Sequence, residues 1–369
     1  MTQARRPGRA LAFGPTGPLT AVGPADLSIR RIRAGRGFVY RDAADKPVRK
    51  ASVLARIRAL AVPPAYAEVR ISADPDAHLQ AVGRDEAGRL QYRYHPDWEA
   101  VREARKAKRL ARIAEALPRV RAVVKRDLAM EAGGRRQALA LAVALIDRAF
   151  IRVGGDAYAR ADGGRGAATL LKRDVRIVGT GVRLSFRGKG GKAITCDLAD
   201  AAIAKALSSL ATLPGRRILQ YRSEDGAIRK VGSAEINSYL RDAAGTAISA
   251  KDLRMLAGSA LAAEILIKAE PAPEERARRR QLAAVMRAVS EQLGNTPAVA
   301  RKSYVHAILI DAFTAGTLKR LYRDTAPRRN IRRVEQMLRR LAGRARNRRS
   351  RREATAAQPP EVSIGHHGS

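Results

Sequence analysis

The apolar pattern of this chain changes period near residue 96, and that change divides what each half can fold into. Residues 27–95 carry short alternating runs broken by turn signals, among them Gly37-Phe-Val-Tyr40, Ala67-Glu-Val-Arg-Ile71, His78-Leu-Gln-Ala-Val82 and Gln91-Tyr-Arg-Tyr94. One helix is expected at 53–60, stopped by Pro63-Pro64. Beyond residue 96 apolar residues recur every three or four positions, over 96–128 and 135–150 and again from 199 to about 313, with breaks near Pro214 and at Glu270-Pro-Ala-Pro-Glu274. A strand-like insertion at 175–198 interrupts the helices around Gly188-Lys-Gly-Gly-Lys192. The expectation is an α+β chain: a small strand-rich N-terminal domain over 27–95 and a mostly α-helical domain over 96–326 carrying a β-hairpin insertion. Residues 1–26, rich in Gly, Pro and Ala, are expected as a flexible leader. Residues 327–369, dominated by Arg pairs, are expected as a basic disordered tail in which 331–341 becomes helical only on a polyanion.

Charge names the class of partner. Lys and Arg total 72 against 35 Asp and Glu, a formal charge of +37. Such an excess favours a polyanion, because each cation placed on a phosphate releases condensed counterions. A membrane surface is a poor alternative: no run of about 18 apolar residues is present, and the N-terminus lacks the apolar core of a signal peptide. An intracellular, soluble protein with a polyanionic partner is expected. The single cysteine, Cys196, excludes an intrachain disulfide or thiolate cluster, and the five histidines show no metal spacing. The Gly188–Lys192 word lacks the spacing and hydroxyl of a phosphate-binding loop, so neither metal nor nucleotide cofactor is expected.

Five residues in basic surroundings carry the chemistry. They are Arg152 in Phe-Ile-Arg-Val-Gly, Lys189 in Phe-Arg-Gly-Lys-Gly-Gly-Lys, Arg254 in Ala-Lys-Asp-Leu-Arg, Asn295 in Gly-Asn-Thr-Pro-Ala, and Tyr304 in Arg-Lys-Ser-Tyr-Val-His. Each alone has an ordinary reading: a tyrosine in an apolar helical stretch is usually core, and a hairpin lysine is usually solvated. The ordered set, with its flanking words, resembles the catalytic pentad of the type IB DNA topoisomerases, in the bacterial (poxvirus-like) branch. The stretch from Pro63 to Asp85 and Gly88-Arg-Leu-Gln-Tyr-Arg-Tyr-His95 are similar to the family's N-terminal signature, and the likeness spans about 27–315.

The resemblance implies a nucleoid-associated, monomeric clamp around double-stranded DNA, with no small-molecule substrate, cutting one strand through a 3′-phosphotyrosyl intermediate and resealing it without ATP or metal. By the same resemblance Tyr304 is the nucleophile, Arg152 and Arg254 hold the scissile phosphate, Lys189 is the general acid, and Asn295 stabilises the transition state. Arg84, Gln91, Tyr92, Tyr94 and Tyr158 match DNA-contacting positions. The chain departs from the family at Gly155 (Asn is usual), Ala161 (an acid), the Gly166-Ala-Ala-Thr-Leu170 word, and Asp174 (a histidine), which touches substrate contacts more than chemistry. Two rival readings stand beside it. A tyrosine recombinase shares the fold, but recombinases carry a histidine where this chain has Lys251, and their N-terminal domain is helical. A non-catalytic basic DNA-binding protein is the other.

Overall fold

The computed structural model describes residues 10–13 and 17–356, with side chains over 17–344 apart from Tyr158 and Asp162. Between Arg105 and Lys106 the chain divides into two compact units. Among the described residues no helix is long and apolar enough to cross a membrane.

The first unit opens with β1 (Ala10–Phe13) paired antiparallel to β2 (Pro18–Thr20). Next come β3 (Ile29–Ala34), β4 (Gly37–Arg41), α1 (Ala51–Ala59), β5 (Ala67–Ile71), β6 (Leu79–Arg84) and β7 (Leu90–Tyr94). The five strands β3 to β7 form one antiparallel sheet in the order β4-β3-β5-β6-β7. Register explains the buried face: Ile29 pairs with Ile71 and Ile71 with Ala81, so all three share a side. Ile57 of α1 joins them in one cluster with Val69. The expected strands and helix are present, the helix two residues early.

The leader expectation needs correcting. Leu19 of β2 is buried against Trp98 and Val101, and His78 donates its backbone N–H to Thr20 O at 2.9 Å. One large apolar side chain with a docking partner is enough to order a Gly/Pro-rich strand. Residues 1–9 and 14–16 of that leader lie outside the described residues.

The division between units falls within α2 (Trp98–Leu128). Then follow α3 (Arg135–Arg148), α4 (Asp156–Asp162) and the strands β8 (Val175–Val178), β9 (Gly181–Arg187) and β10 (Ala193–Leu198). These three strands form an antiparallel sheet. Val182, Leu184 and Phe186 of β9 are buried and alternate with outward residues, which lays the sheet on α5 (Ala201–Ala211). A second hairpin, β11 (Gln220–Arg222) and β12 (Ile228–Lys230), was not legible in the helical pattern. The remaining elements are α6 (Ser233–Ala244), α7 (Ala250–Leu266), α8 (Glu275–Gln292), α9 (Pro297–Ser303), α10 (Ala307–Thr314), α11 (Leu318–Arg323) and α12 (Arg333–Ala356). In α3 every residue from Gln137 to Ile146 is buried, so this helix is the axis of the unit, with α5, α6 and α7 packed on it.

The tail expectation also fails over its described part. Ile331, Val334, Met337, Leu338 and Ala342 are buried in the main core. They recur at helical spacing, a narrow apolar stripe among the arginines, and they dock α12 on α7, α10 and α11. An ion network seals the joint: Arg121 of α2 reaches Asp147 of α3 at 2.8 Å and Glu335 of α12 at 2.9 Å, and Arg332 joins Glu335 to Glu264 of α7. Residues 357–369 lie outside the described residues.

Leu338 has no exposed surface, so Leu338→Ala should destabilise the second unit by about 2–5 kcal/mol, read as a lower urea midpoint with unchanged helicity beforehand. Burial pushes the Glu335 carboxyl up, yet Arg121 and Arg332 hold it below the usual glutamate range. A depressed carboxylate contributes stability above its unfolded value and loses it as pH falls through the folded one. Glu335→Gln should therefore cost about 3–5 kcal/mol at neutral pH, with the gap to the unaltered protein closing below the ordinary glutamate range in urea titrations at stepped pH.

Candidate active site

Four of the five sequence candidates, Arg152, Lys189, Arg254 and Tyr304, line one cavity of about 250 Å³ in the second unit. Each arrives on a different element, so the site is a product of tertiary packing.

Arg152 follows the end of α3, in a loop whose path requires two glycines. Gly154 has φ +77°, and a Cβ there would come within 3.0 Å of the Gly166 backbone; a Cβ on Gly166 would meet Arg152 O at 2.4 Å. Their contact lets Ala167 and Ala168 donate backbone N–H groups to Arg152 O and Val153 O, both at 2.8 Å. The backbone that carries Arg152 is thereby fixed. Its guanidinium donates to the side-chain oxygen of Asn295.

Asn295 is buried and supports Arg152 rather than lining the cavity. Its Nδ2 has no hydrogen-bond partner among the described residues. Lys189 starts a tight turn, Lys189–Gly191, joining β9 to β10. The second lysine of that word plays a different part, since Lys192 donates to Asn295 O and ties the hairpin to the loop before α9. Nothing in the sequence distinguished the two lysines except the resemblance.

Arg254 sits in the first turns of α7 with 3% of its surface exposed. Its Nη2 donates to Leu293 O at 3.0 Å, its Nε is unpaired, and no carboxylate faces it among the described residues. Burial pulls its pKa below the usual arginine value, against the opposing pull of Tyr304. The guanidinium carbon lies 5.1 Å from the Tyr304 ring centroid.

Tyr304 was expected inside a helix, but it caps the C-terminus of α9 with φ −123°. His306 then starts α10, its imidazole accepting the Ile308 N–H at 3.1 Å. The tyrosine backbone rests on α7. Ser259 donates its hydroxyl to Tyr304 O at 3.0 Å, and a Cβ on Gly258 would approach Tyr304 Cβ to 2.8 Å.

Sequence reasoning missed Arg165 and placed Lys251 only as a contrast with recombinases; both line the cavity. Arg152, Arg165, Lys189, Lys251 and Arg254 make its wall cationic, and no carboxylate is among the described lining residues. Such a wall suits a phosphate flanked by a phenol.

The other candidates are distributed differently. Tyr92 and Tyr94 stand exposed on one face of β7, rings 6.2 Å apart and nearly parallel. Arg84, opposite Leu90, shares that face and pairs with Glu68 at 3.0 Å. Gln91 falls on the opposite face by strand alternation, donating to Asp85 at 2.9 Å. Tyr158 falls on α4, its side chain outside the described residues.

Comparison with known proteins gives the same direction. Residues 37–85 match the family described as bacterial DNA topoisomerase IB, N-terminal domain. Residues 96–320 match that described as eukaryotic DNA topoisomerase I, catalytic core. The chain is 28% identical over 284 residues to the DNA topoisomerase 1B of Acanthamoeba polyphaga mimivirus, covering 75% of this chain and 84% of that one. With a catalytic-core match over more than half its length, this chain belongs to the type IB DNA topoisomerases, enzymes that act on DNA.

Proposed function

We propose that this enzyme relaxes supercoiled duplex DNA by cutting one strand transiently with Tyr304 and resealing it. The observation that carries the reading is the Arg254 guanidinium, buried beside Tyr304 with no carboxylate among the described residues to neutralise it. A buried cation is costly unless an anion completes it, and a backbone phosphate supplies that anion.

In the proposed reaction the Tyr304 phenol loses its proton to solvent and its oxygen attacks phosphorus. The P–O5′ bond breaks, and Lys189 gives its proton to the departing 5′-oxygen. Arg152 and Arg254 bind the non-bridging oxygens as charge builds on them. Asn295 orients Arg152 through the hydrogen bond already in place. The 3′-phosphotyrosyl bond keeps the energy of the phosphodiester, so the 5′-hydroxyl reseals the strand without ATP or a metal ion. We assign Arg84, Tyr92 and Tyr94 to duplex contacts of the first unit, and from the resemblance alone extend a duplex contact to Gln91, on the other face of β7, and to Tyr158 of the second unit. A monomer working in the nucleoid accords with this reading.

The test is relaxation of plasmids of either supercoil sign in EDTA without ATP, which the unaltered protein should complete. Tyr304→Phe should bind DNA with similar affinity and yield no denaturant-stable adduct at the 3′ end; an adduct from this variant assigns the attack to another residue. Lys189→Ala should slow single-turnover cleavage of ordinary DNA by about 10²–10⁴-fold. It should barely slow a duplex whose 5′-bridging oxygen is sulfur, since a thiolate leaves unprotonated. Equal slowing on both duplexes returns Lys189 to phosphate binding.

A further inference from the structure

Arg165 is surplus to this scheme and nevertheless faces the same cavity. Its backbone N–H donates to Arg187 O at 2.8 Å, two residues before Lys189, so the loop carrying it is fastened to the hairpin. Its side chain is 19% exposed, and its Nε lies 2.8 Å from Oδ2 of Asp174, which is 4% exposed. Nε is buried and makes no aligned hydrogen bond among the described residues. Asp174 spends the same Oδ2 on the Leu171 N–H at 2.9 Å. The pair is therefore an ion pair by proximity: Asp174 holds the guanidinium in place on its Nε side and leaves the Nη donors to a second acceptor.

We infer that Arg165 is a further phosphate-binding residue, taking a non-bridging oxygen of a phosphate that flanks the cleaved one. The scissile phosphate offers two non-bridging oxygens, which Arg152 and Arg254 occupy, and one leaving oxygen, which Lys189 protonates. A third guanidinium on the same wall is left with the neighbouring phosphate. Such a contact fixes the register of the strand in front of Tyr304 without reading sequence. Asp174 is a positioning residue: it acts through Arg165.

The inference rests on the cleavage reading above, and the experiment separates the two. Single-turnover cleavage of a short duplex, at saturating protein, is measured for the unaltered protein, Arg165→Gln, and the double variant Arg165→Gln/Asp174→Asn. A parallel set of duplexes carries one neutral methylphosphonate at each flanking phosphate in turn. Arg165→Gln should cleave the all-phosphate duplex about tenfold to a hundredfold more slowly, the cost of one charge-assisted contact. One flanking methylphosphonate should slow the unaltered protein by a similar factor and leave Arg165→Gln no slower than it already was.

The single variant also strands the Asp174 charge, so its melting midpoint should fall. The double variant should recover the midpoint but not the rate, which separates contact from folding. A double variant cleaving at the unaltered rate shows that Arg165 serves only as counter-ion to Asp174 and overturns the inference. So does an Arg165→Gln enzyme slowed by every flanking methylphosphonate as much as the unaltered one. An unaltered protein that forms no adduct on the all-phosphate duplex overturns the cleavage reading itself, and the role of Arg165 with it.

Discussion

A half-buried arginine and a fully buried one in the second unit are solved in opposite ways, and the contrast organises it. Arg121 is met by two carboxylates, Asp147 and Glu335, which hold three helices in register. Arg254, more deeply buried, is met by one backbone carbonyl and the face of an aromatic ring. A cation left in that state costs stability, and the surroundings have to keep it from swinging out to water. They do so because α7 is buried on nearly every side, including both neighbours of Arg254. The first arginine holds the unit together; the second is held ready by it.

The same logic runs through the rest of the cavity wall. Arg152 is oriented by a neutral amide oxygen, and Arg165 is shared with a carboxylate already engaged elsewhere. Positive charge is thus kept in place with little neutralisation, which is what preorganisation for an anion demands. The scaffold around it is neutral and small: two glycines in contact under Arg152, and one more where α7 touches Tyr304.

How much of this was legible follows from which interactions are local. The β9 strand was readable because Val182, Leu184 and Phe186 alternate within seven residues. The helix α3 was readable from its apolar spacing, but its burial on every side from Gln137 to Ile146 was not. The break at Tyr304 was hidden because its cause is a histidine imidazole capping α10, an unusual substitute for the side chains that normally start helices. Docking of α12 was masked by arginines crowding its apolar stripe, and β2 was lost for want of knowing that Trp98 awaits Leu19. The residues of the site could be picked from the chain only through family likeness; that four of them share a wall follows from contacts over a hundred residues apart. Arg165 escaped notice because its partner, nine residues on, is brought to it by two tight turns.

The aromatic cluster of the first unit has a practical consequence. Trp98 is the only tryptophan in the chain, and it lies 4.5 Å from the His78 ring and 6.0 Å from that of Tyr94, which in turn neighbours the exposed Tyr92. Fluorescence excited selectively at tryptophan therefore starts from a ring of the first unit. Its emission follows the sheet and whatever lies against its tyrosine face. A labelled duplex and the protein's own light thus give two separate readings from one cuvette.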